Sequence, residues 1–144
     1  MSASLSAAEL RIEAADRDDS EVLDLSGLGL ACVPGSTASL VRLRELRLGD
    51  NRLTAVPEWL GNFTQLTRLD LNGNRLTEVP EWIGRLGSLT QLYLDGNQIT
   101  EVPGWIGGLA ALTHLGLGGC SLSEVPDWVP GSPTSTSSTL MTIA

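Results

Sequence analysis

The stretch LTRLDLNGNRLTEVPEWIGRLGS, residues 66–88, is the reading frame for the whole chain. Shifted by 23 residues it becomes LRELRLGDNRLTAVPEWLGNFTQ (43–65) in one direction and LTQLYLDGNQITEVPGWIGGLAA (89–111) in the other. A shortened copy, LTHLGLGGCSLSEVPDWV, starts at Leu112, and VLDLSGLGLACVPGS (22–36) fits the same register with less fidelity. Self-similarity at a fixed interval of this length means that one supersecondary unit is stacked on itself, because no copy can bury its apolar face alone.

Within a copy the pattern changes period. Leu69 and Leu71, like Leu92 and Leu94, alternate with their neighbours, which is the signature of a short strand with one buried face. Stacking then lays the strands side by side in a parallel sheet, about 4.8 Å apart. Asn51, Asn74 and Asn97 each follow a strand and are expected to satisfy backbone groups inside the coil; Cys120 takes that place in the last copy and Leu28 in the first. Pro57, Pro80 and Pro103 restrict the return path, and Leu60, Ile83 and Ile106 are expected to close the core from the far side.

The motif L-x-x-L-x-L-x-x-N-x-L-x-x-V-P-x-W-I-G-x-L, over roughly residues 20–130, resembles the leucine-rich repeat family. Its 23-residue, proline-containing form is similar to the repeats of Ras-group and ROCO-type signalling proteins and of many bacterial leucine-rich repeat proteins. The resemblance implies an α/β repeat solenoid: a right-handed coil with a parallel concave β-sheet and an irregular or 3-10 convex side. It also implies a protein–protein interaction module without chemistry of its own.

Local signals mark the ends. Residues 1–20 are expected to form an N-terminal helical cap, with a helix over 7–16 opened by a capping box at Ser6-Ala7-Ala8-Glu9. Leu5, Ala8, Ile12 and Ala15 share its apolar face. The repeat domain spans 21–130 in about five coils. Residues 131–144, rich in Ser, Thr and Pro, lack the apolar surface to order themselves and are expected to form a disordered tail, as though the chain were truncated.

Composition narrows the partner class. The 144 residues carry net charge −8, with no Lys, so a phosphate backbone is a poor match and no nucleic acid is expected. No apolar run reaches the length of a membrane span and the N-terminus lacks a secretory h-region, so a cytoplasmic location without a membrane partner is expected. Cys32 and Cys120 lie about four repeats apart, too far to bridge. One His and two separated Cys supply no metal site by spacing, no cofactor motif is present, and no nucleophile pattern surrounds His114; the chain is not read as an enzyme.

Two surfaces are candidates for binding a protein partner. On the concave face, in-register columns place Glu45, Arg68, Gln91 and His114 on one line and Arg47, Asp70 and Tyr93 on the next. Such cross-strand neighbours either balance charge or form a recognition strip, with Arg47, Arg68, Tyr93 and His114 its anchors; Glu45 can pair with Arg68, and Arg47 with Asp24 or Asp70. The second surface is the tryptophan column Trp59, Trp82, Trp105 and Trp128, at a place expected to be at least partly exposed. The favoured reading is a monomeric module that binds a partner through its concave face. The alternatives are a regulatory segment of a larger signalling enzyme (a ROCO-type GTPase or a kinase) and a fragment without a selected partner.

Overall fold

The computed structural model describes residues 3–122 together with the pair 141–142. Helix α1 (Ala3–Arg17) opens the chain. Strands β1 (Val22–Asp24), β2 (Glu45–Arg47), β3 (Arg68–Asp70), β4 (Gln91–Tyr93) and β5 (His114–Gly116) follow, and a short strand β6 is formed by Met141–Thr142. They make one sheet in sequence order, parallel from β1 to β5, with β6 antiparallel on β5. Between consecutive parallel strands the chain returns through 3-10 turns at Gly35–Ser39, Glu58–Asn62, Glu81–Arg85 and Gly104–Gly108. The fold is the stacked solenoid that the periodicity predicts, with the parallel sheet and 3-10 turns that the resemblance to leucine-rich repeats implies.

The alternation seen in the sequence is the alternation of burial. Leu46, Leu69, Leu92 and Leu115 are fully buried, as are Leu48, Leu71 and Leu94. Each such side chain contributes about 1.5–3 kcal/mol. Pro57, Pro80 and Pro103 precede the 3-10 turns in extended conformation, with φ of −67°, −61° and −64°, so the ring presets the bend. Leu60, Ile83 and Ile106 then point inward and are fully buried.

Polar atoms inside the coil are satisfied by an asparagine ladder. The Asn74 amide donates to Leu48 O (2.9 Å) and Leu71 O (3.0 Å), and its Oδ1 accepts from Leu53 N (3.0 Å). Asn97 repeats the pattern with Leu71 O, Leu94 O and Leu76 N. Asn51 bonds Leu25 O and Leu48 O and accepts from Leu30 N. Each amide therefore ties its own coil to the one before. At the end of the ladder Cys120 Sγ donates to Leu94 O at 3.1 Å, and burial pushes its thiol pKa up, which keeps that proton in place.

A second ladder was not anticipated. The Thr67 hydroxyl donates to Arg44 O (3.0 Å), Thr90 to Thr67 O (3.0 Å) and Thr113 to Thr90 O (3.1 Å). The L-T dipeptide before β3, β4 and β5 is its signal: a β-branched hydroxyl at a strand entrance can reach the previous coil's carbonyl.

The N-terminal cap departs from expectation in its start. The helix spans Ala3–Arg17, so Ser6 lies inside it and the capping box at Ser6–Glu9 does not form. Glu9 instead accepts a hydrogen bond from the Ser36 hydroxyl at 2.7 Å. Ser36 stands where later repeats carry tryptophan, so a small polar residue makes room for the helix. Ala8, Ile12 and Ala15 are buried as the face analysis predicts. Arg11 Nη1 donates to Asp24 O at 2.9 Å, which occupies part of the free edge of β1.

At the other end, Met141–Thr142 form β6 within a tail that was expected to lack order, and the edge of β5 satisfies their backbone. The rest of the 131–144 segment lies outside the described residues.

Candidate functional site

The strand register brings the predicted concave columns together without a slip. Val22, Glu45, Arg68, Gln91 and His114 are successive partners, and Asp24, Arg47, Asp70, Tyr93 and Gly116 form the adjacent line. Side chains two apart on one strand share a face. Glu45, Arg47, Arg68, Asp70, Gln91, Tyr93 and His114 consequently lie on one surface, each half-buried by its neighbours.

Glu45 is the hub of this surface. Its Oε1 accepts from Arg47 Nε at 2.6 Å and lies 3.6 Å from Arg68 Nε. Arg47 also reaches Asp24 Oδ2 at 3.8 Å, which decides between the two acidic partners anticipated for it. The Arg68 guanidinium carbon stands 5.1 Å from the centroid of the Tyr93 ring, within the range of a cation–π contact. His114 is held at the edge, its Nδ1 2.8 Å from the Thr113 hydroxyl. Arginine, tyrosine and carboxylate thus form a continuous chain across β2, β3 and β4.

Beyond the strand ends the surface becomes acidic. Asp95 Oδ1 accepts from Gly118 N at 2.7 Å, and the Asp95 amide donates to Asn72 Oδ1 at 2.8 Å. A Cβ at Gly116 would collide with the Asp95 carboxylate, so glycine there is what lets Asp95 lie over β5. Burial raises the Asp95 pKa above the ordinary carboxylate value; the Gly118 hydrogen bond opposes the shift and the charge of Asp70 adds to it. For Asp24, burial pulls upward, but hydrogen bonding from Ser26 and the charges of Arg47 and Arg11 outweigh it, and the pKa is lowered. The sequence reading did not single out Asp95 as a site residue. Its signal was Gly116 on the next strand, the register partner of Tyr93, which leaves room for the Asp95 carboxylate.

The tryptophan surface differs from expectation. Trp82 is buried, 7% exposed, whereas Trp59 and Trp105 are half-buried. The turn that carries Trp82 lies between the turns Glu58–Asn62 and Gly104–Gly108. Trp59 turns onto Phe63 in its own coil, with ring centroids 6.0 Å apart. Trp105 lies on Gly84, with Cε3 3.5 Å from where a Cβ would stand. Trp128 lies outside the described residues.

Among the described residues no group of three or more His, Cys, Asp or Glu side chains could hold a metal ion. No described helix is long and apolar enough to cross a membrane. Cys32 and Cys120 are both free thiols.

A family model for the leucine rich repeat matches residues 21–76, 41–99 and 79–122. The chain therefore belongs to the leucine-rich repeat family, as the fold and its asparagine ladder define it. No curated protein matches the chain in sequence. Among solved structures, a leucine-rich repeat protein of Leptospira interrogans is similar at 25% identity and a TM-score of 0.62, covering 81% of this chain and 42% of its own. The functional domain of InlJ from Listeria monocytogenes, which includes a cysteine ladder, is similar at 25% identity and a TM-score of 0.63, covering 74% of this chain and 22% of its own. The chain thus spans less than half the length of either neighbour.

Proposed function

We infer that this chain is a non-catalytic binding module that holds a protein partner on its concave face. The observation that supports the reading is the linked row Asp24–Arg47–Glu45–Arg68–Tyr93, fixed on parallel strands by the ladders beneath it. Because the strands are already ordered, little backbone entropy opposes association. Tyr93 and the two arginines supply the residue types that carry binding energy when a partner desolvates them. A footprint of five short strands fits an interface at or below about 800 Å² per partner, and hence moderate affinity.

The test is an affinity capture from native cell extract with two baits, the intact chain and a variant carrying Arg68→Ala, Tyr93→Ala and His114→Ala. Circular dichroism first verifies that both are folded. A partner held by the intact chain and lost by the variant supports the concave face. A partner retained by both variant and parent removes that face from consideration.

A further inference from the structure

On the convex side, an open groove of about 690 Å³ runs between successive 3-10 turns, floored by Val56, Pro80, Trp82 and Trp105. A second groove continues from it and shares Glu78, Glu81 and Trp105, adding Glu101. Glu78, Glu81 and Glu101 are exposed, and among the described residues none of them makes an ion pair or a side-chain hydrogen bond. The one arginine of the groove, Arg85, is already committed to Glu58 at 3.2 Å. The surface therefore presents three unneutralised carboxylates around a half-exposed indole.

We propose that this groove docks an extended, arginine-bearing segment of a partner protein, independently of the concave face. The complementarity is specific in kind. A guanidinium can lie against the face of Trp105 while its donors reach Glu78 or Glu101, combining a cation–π contact with charge-assisted hydrogen bonds. Glu78 and Glu101 come from equivalent places in consecutive coils, 23 residues apart, so an extended chain lying across the coils meets a carboxylate on either side of the Trp105 indole's groove. An acidic or nucleic-acid ligand would be repelled by the same carboxylates.

The experiment titrates the full chain with a fluorescein-labelled nine-residue peptide of alternating Arg and Ser, followed by anisotropy; a Glu/Ser peptide serves as control. Three exposed pairs at about two- to threefold each multiply to about tenfold. The variant Glu78→Gln, Glu81→Gln, Glu101→Gln is expected to bind about tenfold more weakly. The variant Glu13→Gln, Asp16→Asn, Asp18→Asn removes equal charge from the cap and is expected to change affinity less than about twofold. Trp105→Leu, verified as folded, is expected to weaken binding severalfold. Equal weakening by the two charge variants would mean that net charge alone attracts the peptide, and the proposal fails. It fails too if binding does not saturate, or if only the concave triple variant abolishes it.

Discussion

Thr37 stands in the first coil where Leu60, Ile83 and Ile106 stand in the others, and it is fully buried with its Oγ1 unpartnered. A hydroxyl taken from water without a replacement bond is a net cost, and valine has nearly the same shape. Thr37→Val is expected to stabilise the fold by about 1 kcal/mol, read as a higher urea midpoint at unchanged slope. The reverse case is Asn74. Asn74→Ala strands Leu53 N inside the coil and leaves Leu48 O and Leu71 O with one amide donor each, from Asn51 and Asn97, so a loss of roughly 1–3 kcal/mol is expected by the same assay. Asp95 makes a pH-dependent contribution. Burial raises its pKa, so the folded protein holds the proton more tightly than the unfolded chain does. Its favourable contribution is present below the ordinary carboxylate range and is lost as pH rises through the raised pKa. Asp95→Asn keeps an acceptor for Gly118 N and should raise the thermal midpoint at pH 7, with the gain vanishing near pH 3. A gain that is the same at both pH values would overturn the assignment.

The element most informative about how this solenoid begins is α1. Small residues Ala8 and Ala15 allow close approach, and Ile12 between them fills the space over β1. Ile12→Asp buries a charge without a partner and is expected to cost about 3 kcal/mol or more. Size-exclusion chromatography should also show self-association, since an uncovered apolar end and the free edge of β1 would both seek a partner. The helical face was legible because period 3.6 survives in any context. Its start was not: the Ser6–Glu9 signal is local, and continued helix upstream, with Glu9 drawn to Ser36, overrode it.

Across the whole molecule, charge is distributed unevenly. Seventeen acidic residues face nine arginines, and several of the ion pairs among the described residues, such as Arg42–Asp19, Arg44–Glu21 and Arg85–Glu58, are exposed. Exposed pairs contribute little, about 0–1 kcal/mol each. Screening should relieve self-repulsion more than it weakens these pairs. The thermal midpoint is therefore expected to rise as NaCl is taken from about 20 mM to about 500 mM, which shortens the Debye length about fivefold. A falling midpoint would show that the ion-pair chain Asp24–Arg47–Glu45–Arg68 dominates instead.

What the sequence by itself determined is everything that repeats: the coil length, the strand register, the inward leucines, the asparagine ladder and the proline-led turns. Repetition fixes these because each coil sees the same neighbours, so one pattern solves one packing problem many times. The concave columns followed from the same register, and all seven predicted side chains share that face. What only the tertiary structure decided is where neighbours differ. Three tryptophans at equivalent repeat positions have different fates: Trp82 is buried, while Trp59 and Trp105 stay half-covered. Arg47 chooses Asp24, and Asp95 extends over β5 only because Gly116 leaves the space. Such outcomes depend on side-chain volume one coil away, a distance of 23 residues in the chain and a few ångströms in space, which no local pattern records.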